Sequence, residues 1–188
     1  MRLKSLYMNN FRQYIGENTI EFAGVNEGPN VTLIWGPNGY GKTGVFRAIM
    51  FCLYGDLVLE QDGFLKSDSG AELILVNEKL LEKDIGKRVT ATVMLRFEHE
   101  SSEFELERKV SALMSNKGEE PMQEPGSVIL NEKNSIGNSL STIEDIGKVE
   151  EKITQILSRR VRDYFLFDGE RMEKLTRYGD DQREEVQR

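Results

Sequence analysis

The densest run of chemically capable residues is Gly36-Pro37-Asn38-Gly39-Tyr40-Gly41-Lys42-Thr43, a full match to the pattern G-x-x-x-x-G-K-[ST]. Glycines at these positions let backbone N–H groups approach phosphate oxygens closely. Lys42 would place a point charge on the β- and γ-phosphates, and the Thr43 hydroxyl would ligate Mg²⁺. Such a loop needs a strand before it and a helix after it. Val31-Thr32-Leu33-Ile34-Trp35 is a short apolar, β-branched run, expected as a strand buried on both faces with Trp35 packed under the loop. Lys42 to Tyr54 carries Val45, Phe46, Ile49, Met50, Leu53 and Tyr54 around most of a helix circumference, and Gly55 is placed as its C-terminal cap. The loop amides and the positive helix end would then cradle phosphate, which makes Gly36, Asn38, Gly39, Tyr40, Gly41, Lys42, Thr43 and Gly44 the candidate binding residues.

Two further clusters can carry chemistry. Asn9-Asn10-Phe11-Arg12-Gln13-Tyr14 ends the first expected strand, and Arg12 read alone is a solvated loop arginine. Tyr164-Phe165-Leu166-Phe167-Asp168-Gly169-Glu170 delivers a carboxylate at the end of an apolar run. It fits either a Walker B acid or a loop that positions a metal ligand, and both place Asp168 near Mg²⁺. Gly169 separates Asp168 from Glu170, which counts against the first; a core strand ending in an Asp-Gly turn is the plain alternative. Arg159, Arg160 and Arg162 fit cations at a helix end, His99 between two glutamates is a solvated residue, and Cys52 belongs to a helix core.

These sites sit in a chain of 188 residues with 25 Lys+Arg against 32 Asp+Glu, a formal charge of -7. That balance excludes coating of nucleic acid by bulk charge, so any DNA contact would be local. One cysteine and one histidine build neither a disulfide framework nor a His-rich metal site. The opening Met1-Arg2-Leu3-Lys4-Ser5-Leu6 has no uninterrupted apolar segment of a signal peptide, and no run approaches the ~18 apolar residues of a spanning helix. The expectation is a cytoplasmic protein with no membrane partner.

The elements that must position the sites follow from periodicity. Arg2 to Phe11 and Thr19 to Phe22 read as two antiparallel strands, residues 26 to 30 as a turn, and Asp56 to Gly70 as a loop. Ala71 to Leu81 has helical spacing; Val89 to Phe97 and Phe104 to Val110 alternate as a β-hairpin. Ser111 to Ser141, rich in Gly, Asn, Ser, Glu and Pro, reads as a peripheral insertion with one short strand at Val128-Ile129-Leu130. Val149, Ile153, Ile156 and Leu157 mark an amphipathic helix. The stretch from Glu170 turns almost wholly polar and ends without a cap, as at the root of a longer helix. The expected organisation is one lobe over residues 1–168, with the insertion near 111–141, and a helix over 169–188 leading into a coiled coil.

With those residues in view, the chain resembles the N-terminal lobe of an SMC-type or RecF-like ABC ATPase head. The opening Leu6-Tyr7-Met8-Asn9-Asn10-Phe11-Arg12-Gln13-Tyr14 is similar to the group's first strand and following arginine, GPNGYGKT to its Walker A, and the FDGE run stands where its Q-loop lies. The aromatic run before Asp-Gly-Glu is most similar to the DndD ATPases of DNA phosphorothioation systems. The resemblance implies an α/β P-loop NTPase fold with a mixed β-sheet and an antiparallel hairpin subdomain. It implies ATP and Mg²⁺ as cofactors, Arg12 on the ATP phosphates, and Asp168 in place of the Q-loop glutamine. Lys42 and Asp168 would be catalytic, and Thr43 and Asp168 would hold the metal.

The resemblance also implies partners: a C-terminal lobe of the same protein, a second copy sandwiching ATP, DNA through the full assembly, and other proteins of a DNA modification or repair system. No apolar strand ending in adjacent Asp-Glu, no Leu-Ser-Gly-Gly signature and no switch histidine occurs downstream. The chain alone is therefore expected to hydrolyse ATP hardly at all. Two other classes stay open at this point: a stand-alone P-loop kinase or NTPase, for which Arg159 to Arg162 would be a thin lid, and a non-hydrolysing, nucleotide-gated docking module. A GTPase lacks support, since Asn77-Glu78-Lys79 and Asn131-Glu132-Lys133 do not complete Asn-Lys-x-Asp.

Overall fold

In the computed structural model the described residues are 1–24, 30–55, 74–134, 138–158 and 166. The chain divides into two units, Met1–Ile156 and Leu157–Arg188, and the first carries every element named below. Alternation of apolar and polar residues produces the strands: β1 (Arg2–Asn9), β2 (Glu17–Glu21), β3 (Arg88–His99), β4 (Ser102–Leu113), β5 (Met122–Gln123), β6 (Ser127–Asn134) and β7 (Ser139–Ile143). Three helices accompany them: α1 (Lys42–Tyr54), α2 (Glu78–Lys83) and α3 (Ile146–Ile156).

The strands form one sheet in the order β2-β1-β3-β4-β6-β7, with β5 on the end of β4, and every described pairing is antiparallel. Register sets the buried face. Leu6, Leu95, Leu106 and Leu130 stand side by side across β1, β3, β4 and β6, and all four are buried. The next row is Met8, Val93, Arg108 and Val128. Helix α1 lies over these rows: its Cys52 thiol, fully buried, donates to the Leu106 carbonyl at 3.2 Å. Burial pushes the thiol pKa up to about 12, so Cys52 is a core residue.

Arg108 is the exception in this apolar face. Only 6% exposed, it donates Nε–H to the Cys52 carbonyl at 2.8 Å, inside the last turn of α1. A cation there meets the partial negative charge of the helix end, where the C-cap Gly55 returns its N–H to the Phe51 carbonyl. The helix that carries the glycine-rich loop at its start is thus fastened to the sheet at its end.

Several expectations hold closely. Helix α1 spans the expected residues, the β3–β4 hairpin forms and runs longer at both ends, and α3 buries Val149 and Ile153. Others need correction. Residues 30–36 form no strand: Val31, Leu33 and Trp35 are 74%, 84% and 86% exposed, so Trp35 does not pack under the loop. A strand needs a hydrogen-bonding neighbour, and none of the described strands lies beside this run. Among the described residues the helix expected over 71–81 begins only at Glu78 and runs to Lys83, because Leu75, Val76 and Asn77 give their backbone to the loop after β1. The segment read as a peripheral insertion contributes β5, β6 and β7, and β6 pairs with β4 over eight residues. The turn at 26–29, the whole loop at 56–70, residues 71–73, the run from Tyr164 to Glu170 apart from Leu166, and the tail helix lie outside the described residues.

Candidate nucleotide-binding site

The loop between residue 36 and α1 has the conformation its glycines permit. Gly39 and Gly41 take φ of 86° and 98°, values that side chains disfavour. Tyr40 N–H closes a turn onto the Pro37 carbonyl at 3.4 Å. Gly41 is the N-cap of α1 and supplies no side-chain cap, and no acidic residue stands in the first turn. The first-turn amides are therefore not occupied by the usual capping oxygen. Lys42 curls back, its Nζ donating to the Gly36 carbonyl at 2.7 Å and the Pro37 carbonyl at 2.8 Å. Lys42, Thr43, Asn38 and Tyr40 are exposed, so the loop presents its donors to solvent.

The loop after β1 is built against this helix start. Phe11 is fully buried and stacks on Phe51 of α1 with ring centroids 5.6 Å apart. Burying a phenylalanine contributes about 2–3 kcal/mol, enough to hold a tight turn in place. That turn contains Asn10 and Arg12 at φ of 54° and 50°. Its strain is offset by hydrogen bonds: Arg12 N–H donates to the Leu75 carbonyl at 2.9 Å, the Arg12 carbonyl accepts from Asn77 Nδ2, and Asn10 Oδ1 accepts from Gly16 N–H at 2.9 Å. Asn77 also caps α2, accepting from Leu80 N–H at 3.1 Å.

Arg12 is half-buried, and its Nη1 is buried with no hydrogen-bond partner among the described residues. Burial, then the neighbouring charge of Arg47, lowers its pKa to about 10, against a smaller opposing pull from Glu78. A buried guanidinium nitrogen without an acceptor, beside a second cation, fits an anion as its missing partner. Arg12 and Gln13 also line a cavity of about 290 Å³ with Val76 and Asn77. A larger cavity, about 560 Å³, lies against Arg2, Lys4 and Arg96. Those cations already pair with Glu98 and Glu105, and Glu98 is held below the usual carboxylate range, first by its hydrogen bond with Lys4. Three of the cations at that cavity are therefore already neutralised by carboxylates.

The sequence matches the AAA domain over residues 5–187, nearly its whole length. The chain belongs to the AAA domain family. A relative, the DNA double-strand break repair Rad50 ATPase of Halobacterium salinarum, is 30% identical over 112 residues, which is 60% of this chain and 10% of that protein. The chain thus spans a small part of that relative's length. A solved structure from work on ATP-driven dimerization and DNA-stimulated activation of SMC ATPases covers 84% of this chain and 78% of its own, at 20% identity and a TM-score of 0.46.

Within this AAA domain, Gly36, Asn38, Gly39, Tyr40, Gly41, Lys42, Thr43 and Gly44 come together at the start of α1, with the Arg12 turn packed beside them. Asp168, with Glu170, Arg159, Arg160 and Arg162, lies outside the described residues. Among the described residues no group of three or more His, Cys, Asp or Glu side chains is placed to hold a metal, so Thr43 is the metal-ligand candidate there. No helix among them is long and apolar enough to cross a membrane. Sequence reasoning missed Gln13, Tyr14, Arg47 and Asn77. Tyr14 Oη donates to the Gly41 carbonyl at 2.9 Å, and burial raises its pKa, which keeps that donor proton in place. Arg47 could have been found by its spacing of four from Thr43, which places both on one helix face. No comparable signal marks Asn77, whose partners are distant in sequence.

Proposed function

We propose that this AAA domain is the ATP-binding N-terminal half of an SMC-like ATPase head. A C-terminal lobe and a second copy complete it, and ATP hydrolysis then drives a DNA-processing step. The observation that carries the reading is the uncapped start of α1, with Lys42 curled onto the Gly36 and Pro37 carbonyls and the Arg12 guanidinium short of an acceptor beside it. Binding of Mg·ATP would move Lys42 Nζ from these carbonyls onto phosphate oxygens, while the first-turn amides and Arg12 take the remaining charge. Thr43 and Asp168 would hold Mg²⁺, which neutralises charge between the phosphates when bound.

Three further features support a divided head. The sequence offers no adjacent Asp-Glu pair after an apolar strand and no signature motif, so the water-activating acid comes from elsewhere. The exposed run Val31–Trp35 has the composition of a central strand without a neighbour, which a C-terminal lobe would supply. The named relative is a double-strand break repair ATPase, which supports DNA as the substrate of the full assembly. Within that group, the aromatic run and Asp-Gly-Glu at 164–170 favour the ATPases of DNA phosphorothioation systems.

The test is ATP turnover by this chain alone and joined to a C-terminal lobe carrying the signature and the Asp-Glu pair. Silence alone and turnover on complementation is the expected result. Robust turnover alone would place the catalytic carboxylate within this chain and return the protein to the kinase-like class.

A further inference from the structure

The Gly41 carbonyl is oversubscribed. It accepts from Gly44 N–H at 2.7 Å, Val45 N–H at 3.2 Å, Tyr14 Oη at 2.9 Å and Gln13 Nε2 at 3.3 Å. A carbonyl oxygen has two lone pairs, so four donors cannot all be well served. The Gln13 bond is the longest of the four, and its side chain is exposed. The carboxamide is thus the donor most cheaply removed from this acceptor.

Its position is also unusual. A Cβ on Gly44 would stand 1.9 Å from Gln13 Nε2 and 2.8 Å from its Cδ, and a Cβ on Gly41 would stand 2.9 Å from the same nitrogen. The amide therefore fills the space over the first turn of α1 that a side chain at position 44 would occupy. Glycine at 44 is what admits it. The phosphate-facing donors of a P-loop lie on that same first turn.

We infer that Gln13 is a nucleotide-contacting residue: when a nucleotide enters the loop, its carboxamide leaves the Gly41 carbonyl and donates an N–H to a phosphate oxygen held over the first turn of α1. This rests on the P-loop reading above. It gives the loop a donor that the glycine at 44 does not provide, and it leaves Tyr14 as the permanent brace on Gly41. The exchange favours binding, because a phosphate oxygen is a charged acceptor and the carbonyl left behind keeps three donors.

The experiment is titration of the full chain with a fluorescent ATP analogue and Mg²⁺, comparing Gln13→Ala, Gln13→Glu, Gln13→Ala with Gly44→Ser, and Lys42→Ala. Removing the donor should weaken binding about tenfold, the loss typical of a hydrogen bond to a charged group. Gln13→Glu should weaken it further, since a carboxylate would face phosphate. A serine hydroxyl at 44 falls where the amide stood, so the double variant should recover most of the loss. Melting of the unliganded protein should be unchanged throughout.

Wild-type affinity in both Gln13 variants, with binding lost in Lys42→Ala, would overturn the Gln13 contact and leave the P-loop intact. Equal losses in Gln13→Ala and Gln13→Glu, no rescue by serine and a lowered unliganded melting temperature would make Gln13 a structural brace and likewise overturn it. Unchanged affinity in Lys42→Ala, or no nucleotide binding by the wild type, would remove both readings.

Discussion

Arg108 ties the far end of the P-loop helix to the sheet, and its replacement measures what that fastening is worth. Arg108→Ala removes a charge-assisted hydrogen bond to the Cys52 carbonyl, worth about 1.5–3 kcal/mol. It also removes the favourable charge at the α1 C-terminus, about 0.3–1 kcal/mol, and the packing of the methylene stem between Val93 and Val128, about 0.8 kcal/mol per buried CH₂. Relief of a buried charge works in the other direction and cancels part of the sum. A net destabilisation of about 2–4 kcal/mol is expected, which for a domain of this size lowers the melting temperature by about 5–15 °C. Arg108→Met keeps the stem and loses the charge and the hydrogen bond, so it should cost about 1–2 kcal/mol. Urea unfolding followed by circular dichroism, with both variants at constant m-value, separates the two contributions. An Arg108→Ala variant within about 0.5 kcal/mol of wild type, the range of ordinary surface changes, would refute the assignment of Arg108 as the fastening of α1.

Two other substitutions probe the site and the core. Arg12→Ala removes a half-buried cation that has no acceptor for Nη1 among the described residues, so unliganded stability should change little or rise. ATP affinity should fall by about tenfold or more, and melting curves with and without Mg·ATP read both effects. The Cys52 thiol, held near a pKa of about 12 by burial, should resist a thiol-specific dye at pH 8 until the protein unfolds. Because this folded pKa is raised above the ordinary value, its stability contribution is full below about pH 9 and is lost as pH rises from there through about 12. Cys52→Ala should flatten that alkaline part of the stability curve, and an unchanged slope would contradict the burial argument.

The parts of the fold legible in the sequence were those whose partners are local or periodic. Helix α1 was readable because nearly its whole circumference is apolar and Gly55 ends it, and the β3–β4 hairpin because alternation and a Ser-Ser turn specify both strands. The Val31–Trp35 run misled for the reason that makes it informative: composition sets what a strand would bury, and a neighbour decides whether it pairs. Helix α2 starts later than the helical spacing of the sequence suggests because the backbone groups of Leu75, Val76 and Asn77 pair with Arg12, Phe11 and Asn10, more than 60 positions away. The glycine-rich loop and the helix that follows it were legible, since both are written in consecutive residues. Gln13 and Tyr14 reach that loop, and Asn77 the Arg12 turn beside it, from across the fold and leave no such pattern.

The central claim, that the loop from Gly36 to Thr43 binds a nucleoside triphosphate, is tested most directly by calorimetric titration of Mg·ATP into wild type and Lys42→Ala. Lys42 is exposed and bonds only loop carbonyls among the described residues, so the variant should fold normally and lose measurable ATP binding. Equal affinity in the two proteins would contradict the account.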